Sequence, residues 1–179
     1  MKLECAFGGE QLSDLDAVHG KCYLFYMGTS FVTIDGEHGF WMRDGILELW
    51  LRLLALHLPE PNTYNSEEVH RVTREIRDRW LLASKGVFSG CVPDYLKEAI
   101  STPDGKTVVD AAIGSLRSAL ERQEATISKN VLNLLAIEGV WRQDFEARRL
   151  IEVADAFVEL MEGKVADTVQ STDRMPGCR

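Results

Sequence analysis

Closely spaced cysteines are missing from this 179-residue chain: Cys5, Cys22, Cys91 and Cys178 are scattered, and no two form a CxxC pair. That spacing fits neither a disulfide framework nor a zinc site, and it predicts reduced, mostly buried thiols. GxGxxG, GxxxxGK[ST], GxSxG and HExxH are missing as well. Dinucleotide binding, P-loop nucleotide chemistry, serine hydrolysis and zinc peptidase chemistry therefore have no support in the sequence. Long apolar runs are also lacking. The longest uncharged stretch, "CYLFYMGTSFVTI", ends at Asp35, well short of the ~20 residues that span a bilayer. Glu4 and Glu10 interrupt the opening "MKLECAFGGEQ" where a signal peptide needs an unbroken apolar core, so the expected address is cytoplasmic, without a membrane partner.

Positive charge is in short supply. Twenty Lys and Arg face 28 Asp and Glu, a net charge of −8. Binding to nucleic acid rests on neutralising phosphates, so the chain as a whole is not expected to bind it. An acidic surface is suited instead to steering onto a basic protein. The remaining composition, 45% hydrophobic and 27% charged, is that of a globular chain able to bury one substantial core.

What is present reads as α+β, predominantly helical. "KCYLFYMGTSFVTID" is rich in aromatic and β-branched residues and is broken at Met27 to Ser30, which predicts an N-terminal β-hairpin or small antiparallel sheet. From Phe40 the period turns helical. In "FWMRDGILELWLRLLALHL" both Ile46, Leu49, Trp50, Leu53, Leu54 and His57 and the neighbouring Leu47, Leu51 and Leu58 form apolar faces, so the helix should be buried nearly all round. Glu48 and Arg52 are expected to mark its one strip that reaches solvent.

"NSEEVHRVTREIRDRWLLASKG" predicts a second helix opened by Asn65 and Glu68, with a stripe of Val69, Val72, Ile76, Trp80 and Ala83. A short helix around "VPDYLKEAI" and a turn at "TPDGK" precede three more helical segments. These are "TVVDAAIGSLRSALERQ", opening at Thr107 and Asp110; "ISKNVLNLLAIEG", presenting Ile127, Val131, Leu134 and Leu135; and "DFEARRLIEVADAFVELMEG". Short connections favour antiparallel packing, so the strands are expected to rest on a bundle of about five helices. Residues 1–163 read as one domain, strand-rich over 1–35 and helical over 40–163; the 164–179 tail has little to bury.

Possible chemistry gathers in "TIDGEHGFWMRDG". Asp35, Glu37 and His38 could supply metal ligands or an acid and base, but the calcium-loop spacing fails and adjacent Glu37 and His38 point apart in most backbone conformations. Asp35-Gly36 is a turn signal in its own right, so a structural connection is the stronger expectation and no metal or cofactor is predicted. His57 lies on an apolar helix face, where a buried imidazole with one partner is commoner than a catalytic one.

Phe40 and Trp41 beside Asp35, Glu37 and Arg43, with Trp141 further on, have the make-up of interface anchors. The leading expectation is thus a binding protein, such as an inhibitor or immunity-type protein that neutralises a basic toxin or enzyme. A small-molecule enzyme using Glu37, His38 and His57 in a pocket between hairpin and helices is the alternative. A homo-oligomer, as simple as a homodimer, built on the Phe40 to Leu58 helix is the third.

Overall fold

The computed structural model describes residues 28–60, 66–86, 88, 90–122, 125–135 and 141–178. Strand β1 (Thr29–Thr33) pairs antiparallel with β2 (Gly39–Arg43), with Thr33 opposite Gly39 and Thr29 opposite Arg43. One face carries Val32, Phe40 and Met42 into the core. The other pairs Phe31 with Trp41, their rings edge to face with centroids 5.3 Å apart. The predicted first arm, from Cys22 to Met27, lies outside the described residues. The second arm is β1, and its partner is the Phe40 to Met42 stretch that the sequence reading made the start of a helix.

Helix α1 (Asp44–His57) follows β2 without a linker. Ile46, Leu47, Leu49, Trp50, Leu51, Leu53 and Leu54 are all buried, because α2 (Glu67–Ala83), α4 (Pro103–Arg122) and α5 (Lys129–Leu135) pack around α1. The helix proposed as an oligomer interface thus has its apolar faces covered within the fold. Glu48 is not on a solvent strip either: it is 3% exposed. Helix α6 (Ala147–Met161) lies on α4, and its Phe157 meets both Phe40 and Trp50, at 5.8 and 5.4 Å between ring centroids.

Local signals account for several boundaries. Ser66 caps α2 by accepting from the Val69 amide, while Asn65, read as the opening residue, lies outside the described residues. The "TPDGK" stretch is the first turn of α4, not a separate turn: Thr102 Oγ1 accepts from the Gly105 amide, and Pro103 sits where a helix needs no amide donor. The short helix α3 (Leu96–Ala99) stands where expected. In α5, Leu132 is buried while Leu134 is 84% exposed, so the predicted stripe of Val131 and Leu134 faces outward. Strands β3 (Thr126–Ile127) and β4 (Phe145–Glu146) form a two-residue pair that has no periodicity to read. Cys91 is exposed and Cys178 half-buried, against the expectation of buried thiols; Cys5 and Cys22 lie outside the described residues.

After α6 the chain turns at Gly163 (φ +68°) and packs onto the body. Val165 and Thr172 are buried, Thr168 bridges His38, and Arg174 Nη1 meets Glu159 Oε2 at 2.6 Å. Arg174 also lies over the Phe40 ring, 5.9 Å from its centroid. Here the tail differs from the expectation that it has little to bury.

Candidate functional site

The connection between β1 and β2 is built by one carboxylate. Asp35 Oδ1 accepts from the Glu37 amide at 2.7 Å, the His38 amide at 2.8 Å and Thr33 Oγ1 at 3.1 Å. Gly36 at φ +88° supplies the left-handed step that this Asx-type turn requires. Gly39 then brings the backbone so close to β1 that a side-chain carbon there would stand 2.0 Å from the Val32 carbonyl oxygen. The stretch read as a turn is therefore a hairpin tip held together by its own acid.

Asp35 Oδ2 meets His38 Nδ1 at 2.8 Å. The His38 side-chain bond, followed by the His38 and Glu37 amides, holds the Asp35 carboxyl well below its usual range. The same bond raises the His38 imidazole, helped by the charges of Asp35 and Glu37. Both side chains are exposed, as is Glu37. The neighbouring hydroxyls of Thr168 and Ser171 lie 3.0 Å apart and bond each other. The tip thus presents a fixed charge arrangement.

The other sequence candidates separate from this tip. Phe40 is fully buried against Phe157 and cannot serve as an exposed anchor; its position on the inward face of β2 explains why. Trp41 is half-buried, with its indole N–H donating to the Val169 carbonyl at 3.3 Å. Arg43 is exposed at the far end of β2. Trp141 packs edge-on against Phe145, and its backbone is held by Asn133, away from the hairpin. His57 is the last residue of α1, and neither Glu37 nor His38 is among the residues lining the cleft that it faces. There His57 Nδ1 contacts Ser115 Oγ at 3.1 Å, burial lowers its pKa, and it lines a cleft of about 450 Å³ with Leu53, Leu116, Leu132 and Asp144.

The burial of two acids escaped the sequence reading. Asp44 and Glu48, one turn apart on α1, are each 3% exposed, and Ser30 lies between Asp44 and the Val92 amide. The available signal was a pair of acids four apart in an otherwise apolar helix. Among the described residues no three His, Cys, Asp or Glu side chains converge as a metal-binding group, and no helix is long and apolar enough to cross a membrane. Compared with known families, with curated proteins and with solved structures, the chain has no significant match.

Proposed function

We propose that the protein binds another protein with a basic surface, and that the hairpin tip and the adjoining tail form the contact. The observation that supports this reading is the preorganised acidic tip. Asp35 is locked by four hydrogen bonds, Glu37 is exposed beside it, and the Gly39 amide donates to the Asp167 carbonyl, which adds a third acid at the same end. Charges already fixed in place lose little entropy on binding and accelerate encounter with an oppositely charged partner. The net charge of −8 favours a basic enzyme or toxin, held in check by an inhibitor or immunity-type protein, over nucleic acid. A cytoplasmic address belongs to the same proposal. Glu37→Lys tests it, because the turn uses the Glu37 amide and leaves its carboxylate outside the turn's hydrogen bonds. The variant should fold normally and bind about tenfold more weakly, mostly through a slower, less salt-sensitive association. Unchanged association kinetics would refute the contact.

A second reading rests on the cleft beside His57, whose roughly 450 Å³ lies in the range of small-ligand sites. Saturable movement of the His57 ring resonances on titration with indole would favour it. Their constancy would remove it.

A further inference from the structure

We propose, resting on the reading of the His57 cleft as a ligand site, that this cleft takes a small amine, with an apolar, ring-sized body on its leucine floor and a protonated nitrogen beside Asp144 at its mouth.

The floor forms where three helices meet. Leu53 of α1, Leu116 and Leu120 of α4 and Leu132 of α5 all line the cleft, and each is buried. Leucine side chains converging in this way offer no hydrogen-bonding group, so the part of a ligand that rests on them gains by leaving water and must itself be apolar. Val131 lines the cleft as well and is 44% exposed, so the apolar wall continues out to solvent. The volume of about 450 Å³ has room for a ring system.

The polar groups of the lining carry charge of one sign. His57 Nδ1 contacts Ser115 Oγ at 3.1 Å, and burial lowers the pKa of the ring, so the imidazole is neutral near pH 7 and offers an anion no charge. Asp144 is exposed, and its Oδ1 accepts from the Lys129 amide at 2.9 Å. Among the described residues no cationic side chain pairs with Asp144, and no Lys or Arg lines the cleft. A carboxylate without a counter-charge beside an apolar floor attracts a cation and repels an anion, and the net charge of −8 acts in the same direction. Carboxylate and phosphate ligands are thereby disfavoured. An amine with an apolar body satisfies both the floor and the mouth.

Titrations of the full chain with indole, tryptamine and indoleacetate at low salt, read from the backbone amide resonances of Ser128 and Leu132, test the assignment. Tryptamine should bind about threefold more tightly than indole and about tenfold more tightly than indoleacetate, since an exposed ion pair contributes modestly. Asp144→Asn keeps an oxygen for the Lys129 amide and should bring the three affinities within about twofold of one another. Equal affinities in the native chain, or an order that the variant preserves, would overturn the amine site while leaving the cleft a ligand site. Failure of all three probes to bind would overturn both. Should the variant fail to fold, the Asp144 carboxyl ¹³C resonance decides in the native chain: a larger shift with tryptamine than with indole supports the proposal, and an equal shift or none overturns it.

Discussion

The Gly39 amide donates to the Asp167 carbonyl at 2.8 Å, which ties the end of the hairpin tip to the segment that follows the last helix. The bond belongs to a seam in which Thr168 bridges His38, the Trp41 indole reaches Val169, and Arg174 covers the Phe40 ring. Removing residues 164–179 should therefore cost about 2–4 kcal/mol, from the lost burial of Val165 and from unpartnered donors on β2. Urea denaturation measures this, and an unchanged midpoint would show that the tail contributes nothing to the body.

Phe157 is the point where β2, α1 and α6 meet, in contact with Phe40 and Trp50. Phe157→Ala should destabilise by about 3–5 kcal/mol. Leu134→Ala, at a side chain 84% exposed, should stay within about 0.5 kcal/mol. Paired denaturation curves check the contrast.

Much of this packing was legible because large apolar residues at helical spacing have few places to go. The stripes of α1 and α2 predicted a large part of the core, including Trp50 and Trp80. The errors arose where one pattern runs into another. Phe40, Trp41 and Met42 abut α1 with no polar break, so they read as helix; their alternation has meaning only once Phe31 and Val32 lie opposite. That misreading also turned Phe40 into a surface anchor. The tail was illegible because its binding to the body rests on backbone bonds and a few small buried residues, which leave no apolar period. Asp35, by contrast, was recognisable as a turn former from Asp-Gly alone.

Ser30 is a two-sided hub, donating to Asp44 and accepting from the Val92 amide. Ser30→Ala should cost about 1–3 kcal/mol, because it leaves a buried amide without its acceptor and a carboxylate without a donor. Thermal unfolding of the variant, followed by circular dichroism, provides the check.

The Asp35–His38 pair sets opposite slopes at the two ends of its working range. The raised His38 pKa gives a contribution that is complete below 6.5 and lost as pH rises through the raised value. The lowered Asp35 pKa gives one that is present above 3.8 and lost as pH falls through the lowered value. Asp35→Asn should return the His38 ring titration towards 6.5, as read from its imidazole resonances. A titration unmoved by the substitution would mean that the pair is not formed in solution.

Native mass spectrometry of the untagged protein and of Glu37→Lys, each recovered from the protein's own host at the same ionic strength, tests the binding reading most directly. The account predicts a stoichiometric basic protein on the native chain that is depleted from the variant, with both chains folded alike. A basic partner retained equally by the variant, or a native chain carrying only a small ligand, would contradict it.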